Sequence, residues 1–203
     1  SAVTGLTVGL TTVLRWTITS GFGACGPSFS DVTINVDSAI TVAAAGPTQN
    51  LCNVTSGTLA ANSVKTSETG TWTTFSGTGS ASSANDPNSA VTGLTVGLTT
   101  VLTWTITSQF GACGPSSSNV TINVDSAITA SVAGPTQDLC NVTSGTLAAN
   151  SVKVSETGTW TTFSGSGAAS SVNDPGSAVT GLTVGLTTVL TWTITSGFGA
   201  CGP

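Results

Sequence analysis

The chain has 203 residues, of which 5% are charged, with a formal net charge of −5 and no His, Met or Tyr. Three basic side chains cannot neutralise a run of phosphates, which excludes nucleic acid as a partner, and no apolar run approaches the ~20 residues of a membrane-spanning helix. An average globular protein carries about 25% charge, so solubility here must rest on hydroxyls, or on sugars attached to them.

Residues 1–37 read as the C-terminal part of a repeat. They hold a short strand, Ala2–Leu6, then a longer one, Val13–Ser20. A Gly-rich turn at 21–27 leads to a strand with Val32, Ile34 and Val36 inward. Asp37-Ser38-Ala39 is the natural junction. The next stretch, 38–125, reads as a complete unit. It opens with an apolar strand, Ile40–Ala45, broken by Gly46-Pro47. Short strands follow at Leu51–Val54 and Thr58–Ala61. Lys65–Gly70 is a polar loop that exposes Glu68. In the Thr71–Ser76 strand Trp72 and Phe75 have opposite parity, so either a bulge intervenes or Phe75 faces outward. Gly77–Asn88 is a Ser/Gly-rich connection ending in the turn former Asn85-Asp86-Pro87.

The stretch Ser89–Ser108 organises the rest. Its second half alternates Leu102, Trp104 and Ile106 with Val101, Thr103, Thr105 and Thr107, the period of a half-buried strand. The same twenty residues occur at Ser1–Ser20 with Arg15 for Thr103, and unchanged at Ser177–Ser196. Ser1 maps to Ser89 and Ser89 to Ser177, a period of 88 residues, and 1–88 differs from 89–176 at thirteen positions. That period exceeds the ~20–50 residues of a solenoid unit and suits a small independent β-domain. The third unit, 126–203, ends before its last strand.

Strands at short intervals, Gly/Pro punctuation and no helical periodicity indicate tandem antiparallel β-sandwiches. Trp72 and Trp104 are the expected core anchors, with Trp16, Trp160 and Trp192 as their equivalents. The segments Leu51-Cys52-Asn53-Val54-Thr55 and Leu102-Thr103-Trp104-Thr105-Ile106, within a pattern that spans the whole chain, resemble the PKD-like, immunoglobulin-like repeats of large Bacteroidota surface adhesins of the gliding-motility, type IX secreted kind. The aspartate-rich motif of better-known PKD domains is absent, since Thr71–Gly77 reads Thr-Trp-Thr-Thr-Phe-Ser-Gly. The resemblance implies a secreted, multi-domain fibre at the cell surface whose partners are its own neighbouring repeats.

Chemistry is sparse. Catalysis needs a nucleophile beside a base, paired carboxylates or a metal site. With no His, single carboxylates at Glu68 and Glu156, and Asp86 and Asp174 each in an Asp-Pro turn, neither an enzyme nor a metal or cofactor site is expected. Asn53, Asn119 and Asn141 head Asn-Val-Thr sequons, acceptors for N-glycans only in a eukaryotic secretory setting. Asp37-Ser38-Ala39 and Asp125-Ser126-Ala127 resemble the O-glycosylation acceptors of Bacteroidota, at Ser38 and Ser126, and read equally well as linker turns. A glycan-binding module is the alternative to a structural stalk, with Phe22, Phe29 and Phe75 as the aromatic candidates.

Five cysteines at two fixed places in the repeat point to disulfides and an extracellular setting. The expected pairs are Cys52–Cys113 and Cys140–Cys201, each inside one unit. Closing a 61-residue loop would stabilise a unit by roughly 4 kcal/mol. The competing pairing, Cys25–Cys52 and Cys113–Cys140, crosses junctions. Because 126–203 lacks a strand of which 28–36 is a copy, the sequence reads as a window on a longer array. The alternative is a filament whose subunits donate that strand to one another.

Overall fold

Alternation decides where side chains go. In the computed structural model, which describes residues 1–23 and 25–202, Leu102, Trp104 and Ile106 are fully buried while Thr103, Thr105 and Thr107 lie on the outer face. Ala24, within the turn at 21–27, and Pro203 lie outside the described residues. Residues 1–37 form a hairpin of β1 (Thr11–Ile18) and β2 (Ser28–Asn35). Unit 38–125 contains β3 (Gln49–Cys52), β4 (Ser56–Thr58), β5 (Glu68–Ser76), β6 (Ser80–Ala81), β7 (Ala90–Thr92), β8 (Thr99–Ser108) and β9 (Ser116–Asp125). In the third unit β10 (Ser144–Thr146), β11 (Glu156–Ser164), β12 (Ala168–Ala169) and β13 (Ala178–Thr180) lie 88 residues after β4 to β7, and β14 (Val189–Ser196) falls within the copy of β8.

The architecture is an immunoglobulin-like β-sandwich. A sheet ordered β3-β9-β8-β5 faces a smaller one ordered β4-β7-β6. Between them Leu59, Val91 and Leu94 meet Trp72, Leu102, Trp104, Ile106, Val120, Ile122 and Val124. All ladders are antiparallel except β3–β9, which is parallel with Cys52 opposite Asp125. The third unit repeats the arrangement as β10-β13-β12 facing β11-β14.

Trp72 and Trp104 are direct cross-strand partners in one sheet, their rings 5.0 Å apart and tilted by 45°. Trp160 and Trp192 repeat the pair at 5.1 Å. The indole of Trp104 lies over Gly70, where any Cβ would overlap Cζ2, and Trp192 covers Gly158 in the same way. The glycines are there for space. Trp72 Nε1 donates to the Asp86 carbonyl at 3.1 Å, which ties the Asn-Asp-Pro turn to the core.

Four expectations change. Trp16 is 72% exposed, because β1 pairs only with β2 and has no counterpart of β5 against it. Ala2–Leu6 forms no strand, although its copies at 90–92 and 178–180 do. Those copies are held between β4 and β6 or β10 and β12, and such partners are absent at Ala2–Leu6. Ile40–Ala45 runs without a ladder, its amides taken by side chains. Thr41 N donates to Glu68 Oε1 at 2.7 Å, Ala43 N to Ser116 Oγ at 2.9 Å and Ala44 N to Asn62 Oδ1 at 2.9 Å. Glu68 is therefore buried rather than an exposed loop charge. Phe75 satisfies both options, since the β5–β8 register shifts between Thr74 and Ser76 and the ring is 73% exposed.

Three differences between repeats are one difference. Across β1–β2, Arg15 faces Asp31 at 2.8 Å and its guanidinium lies 4.1 Å from the Phe29 ring. Across β8–β9 the same places hold Thr103, Asn119 and Ser117. Thr103 Oγ1 donates to Asn119 Oδ1 at 2.8 Å.

Trp104→Ala should cost ~3–5 kcal/mol, as large aromatic truncations do. Thr103→Arg should leave the urea midpoint nearly unchanged, and adding Asn119→Asp should restore ~0.2–1 kcal/mol of surface pairing. Equal losses at Trp104 and Thr103 in urea unfolding would contradict the face assignment.

Candidate functional site

The chemistry concentrates where one unit meets the next. β9 ends at Asp125, whose carboxylate is buried and reaches into the third unit. Phe198 N donates to Oδ1 at 3.1 Å and Ala200 N to Oδ2 at 2.9 Å. Gly199 between them has φ of 70°. A left-handed residue between two others turns alternate amides toward one point, and glycine takes that conformation without strain. The loop is thus an anion nest whose anion is a side chain of the preceding unit.

The upstream joint is built alike. Asp37 accepts from Phe110 N at 3.1 Å, Ala112 N at 2.7 Å and Ser108 Oγ at 2.8 Å, around Gly111 with φ of 73°. Burial works to raise the Asp125 carboxyl, but the Ala200 amide, the Ser196 hydroxyl and the Phe198 amide outweigh it and hold it below its ordinary value. Asp37 is lowered likewise, its burial overcome by Ser108, Phe110 and Ala112.

Cys52 stands beside Asp125 in the parallel β3–β9 register, and Asn53 N donates to the Asp125 carbonyl at 2.9 Å. The capped loop carries Cys201 to the same spot. Cys52 and Cys201 form a disulfide, with Cα atoms 4.9 Å apart. This corrects both expected pairs, Cys52–Cys113 and Cys140–Cys201. Because β3 runs parallel to β9, Cys52 sits at the end where β9 finishes, whereas Cys113 precedes β9 at its start. Ten residues of strand, about 30 Å at ~3.3 Å each, separate them. Cys113 and Cys140 are unbridged.

A second buried carboxylate braces each unit from within. Glu68 accepts from Thr41 N and Lys65 N at 2.7 and 3.0 Å, with Lys65 Nζ 3.5 Å away. Burial opposes its ionisation, but the Lys65 amide, the Thr41 hydroxyl and amide, and the Lys65 charge bring it down from 4.5 to about 2. Glu156 repeats this with Thr129 and Lys153 and is also lowered.

The remaining candidates fall apart from one another. Ser38 and Ser126 are half-buried beside the capping aspartates. Asp86 and Asp174 each accept the amide two residues on, at 2.9 Å, as turn formers do. Asn53 and Asn141 adopt positive φ, and Asn119 faces Thr103. Phe29 lies under Arg15, while Phe75 and its copy Phe163 are exposed. Among the described residues no three of His, Cys, Asp and Glu gather as a metal set would require. The capping role of Asp37 and Asp125 was missed in the sequence. Its signal is an Asp at a strand end, repeated 88 residues later, with a Gly-Ala-Cys-Gly turn in each following unit.

No protein-family model matches the sequence, and no curated protein matches it. Solved structures similar to it include the PKD domain from KIAA 1837 protein, at 26% identity over 50% of this chain and 98% of that one, with a TM-score of 0.34. The human Desmocollin-1 ectodomain matches at 8% identity over 91% of this chain and 43% of its own, with a TM-score of 0.32. Domains 4–9 of surface layer protein SbsC match at 14% identity over 98% and 38%, with a TM-score of 0.30. All three superpositions are loose and place the chain in no family.

Two outcomes test the joint. Non-reducing peptide mapping should recover Cys52 linked to Cys201 and never to Cys113. Cys201→Ser should lower stability by about 3–5 kcal/mol, since closing a loop of 149 residues is worth about 5 kcal/mol in loop entropy. The lowered carboxyls give the pH dependence its sign. Their stabilisation is present at neutral pH and is lost as pH falls through the folded values, for Glu68 between about 4.5 and about 2. Acid unfolding followed by tryptophan fluorescence should lose that slope in the Glu68→Gln variant.

Proposed function

We propose that this chain is a structural segment of an extracellular fibre, in which near-identical sandwiches stand end to end, each joint is held by a carboxylate cap, and the joint between 38–125 and 126–203 is locked by a disulfide as well. The observation that carries this reading is the Cys52–Cys201 bond, which ties a strand of one unit to a loop of the next. A flexible string of independent domains has no use for such a bond, whereas a stalk that must hold its reach does. Disulfides persist in oxidising compartments, consistent with a place outside the cell. The stalk of a large bacterial surface adhesin, the family that the sequence resembles, is the setting we propose. Neighbouring repeats would be its partners and sugars at Ser38 or Ser126 would aid solubility.

A glycan-binding reading rests on Phe75 and Phe163, 73% and 79% exposed at equivalent places. Each is a single ring on an outer strand and lines neither of the two grooves found in the third unit, so the structural reading is the stronger.

Small-angle scattering of the oxidised chain should give one fixed angle between units 38–125 and 126–203. Cys201→Ser combined with Asp125→Asn should broaden it into a distribution. A joint that is equally mobile in the unaltered protein, or saturable binding to a glycan array, would overturn the proposal.

A further inference from the structure

The two ends of the Cys52–Cys201 bond are unequally open. Cys52, the last residue of β3, is exposed, whereas Cys201 is 3% exposed. The loop of Cys201 is also firmly held. Cys201 N donates to Ser196 Oγ at 3.2 Å, and that hydroxyl donates to the Cys201 carbonyl at 3.0 Å. The amides of Phe198 and Ala200 are taken by Asp125. Thiol–disulfide exchange needs a thiolate to reach one sulfur while the other departs. Burial closes the approach to Cys201, so attack falls on Cys52 and Cys201 is the leaving group.

The place that the departing sulfur occupies is hostile to its charge. Asp125 stands opposite Cys52 across the parallel β3–β9 ladder, about 4.8 Å away. Its Oδ2 accepts from Ala200, the residue before Cys201, at 2.9 Å. A buried carboxylate beside a thiol raises the thiol's pKa, and a thiol of raised pKa leaves slowly. A nearby Lys, Arg or protonated His would ordinarily ease such a thiolate. This chain has no His, and its three basic side chains, Arg15, Lys65 and Lys153, are engaged with Asp31, Glu68 and Glu156. The amides that converge at this point already serve the carboxylate.

We propose that Cys52 is the site at which a low-molecular-weight thiol of the glutathione class enters the joint, and that Asp125 slows that entry by opposing the charge on the departing Cys201. The proposal deepens the fibre reading, on which its biological sense rests, by giving the locked joint both a point of opening and a guard over it.

The exchange balances. The external thiolate bonds to Cys52 Sγ, the Cys52–Cys201 bond breaks, and its electron pair leaves on Cys201 Sγ, which takes up a proton. A second external thiolate then attacks the mixed disulfide, forming the oxidised dimer of the thiol and freeing Cys52. Two external thiols are oxidised and one protein disulfide is reduced. Opening leaves the parts in place. Asp125 keeps the amides of Phe198 and Ala200, and Asn53 N still donates to the Asp125 carbonyl. The sulfurs stay near one another, and the bond re-forms by the reverse exchange when the oxidised dimer prevails.

The test uses the full chain with Cys25, Cys113 and Cys140 changed to Ser, so that no other thiol competes. Glutathione is added, and samples are quenched in acid, alkylated in denaturant and mapped as peptides. The expected intermediate carries glutathione on Cys52 and the alkyl group on Cys201. Asp125→Asn should speed loss of the bond about tenfold, the scale on which removing a neighbouring charge alters such a thiol. A loosened loop alone would also quicken the reaction, so Gly199→Ala is the control. Its Cβ would meet nothing within 4 Å but would strain a residue at φ of 70°, which weakens the loop and keeps the charge. Gly199→Ala should therefore leave the rate much nearer that of the parent. Glutathione found first on Cys201, an Asp125→Asn rate equal to the parent's, or an equal acceleration by Gly199→Ala would overturn the proposal. Such a failure leaves the scattering test of the fibre reading untouched, and a mobile joint in that test leaves these rates to be read on their own.

Discussion

The contact of Trp72 with Trp104 across the β5–β8 ladder is what the rest of each unit depends on. A chain dominated by Thr, Ser, Gly and Ala has few large side chains with which to exclude water, and here two of them meet with centroids 5.0 Å apart and rings tilted by 45°. Aromatic pairs in this geometry contribute about 0.5–1.5 kcal/mol beyond the area they bury. The pair also explains its neighbours. Gly70 is bare so that the ring of Trp104 can lie against the backbone, and the Asn85-Asp86-Pro87 turn is pinned because its carbonyl receives the Trp72 indole.

From that core the joint follows by geometry. β8 carries Trp104 and β9 is its antiparallel neighbour, so β9 must run to the far end of the sandwich and deliver Asp125 there. β3 runs beside it in the same direction and delivers Cys52 to the same end. The following unit contributes a loop whose amides converge on the carboxylate and whose cysteine meets Cys52. A buried charge and a covalent bond thus occupy one small volume, each holding the groups that the other requires.

Much of this was legible in the alternation of Val101–Thr107, which identifies the strand, its buried face and the recurrence of the unit. Alternation says nothing about strand direction, however, and the cysteine pairing turns on the parallel course of β3. A four-residue segment, Gln49–Cys52, cannot reveal that course. Glu68 misled for a related reason. Its neighbours, Lys65, Thr66, Ser67 and Thr69, are those of a solvated loop, while the amide that buries it belongs to Thr41, 27 residues away. Arg15, Phe29 and Asp31 were visible as separate differences between repeats. They became one cluster only when the β1–β2 register placed them side by side.

The bond between Cys52 and Cys201 also fixes how far such a chain can be drawn out. Tension applied at the two ends travels along the backbone to Cys52, crosses the sulfur bridge and leaves through Cys201, so residues 53–200 hang in a closed loop off the line of force. Without the bridge, an unravelled chain of this length could reach about 700 Å at ~3.3–3.6 Å per residue. With it, only residues 1–52 and those from 201 onward can straighten, to about 180–200 Å. Local melting of either sandwich inside the loop would then add no length, and a fibre built this way would stay short under load until the sulfur–sulfur bond is reduced.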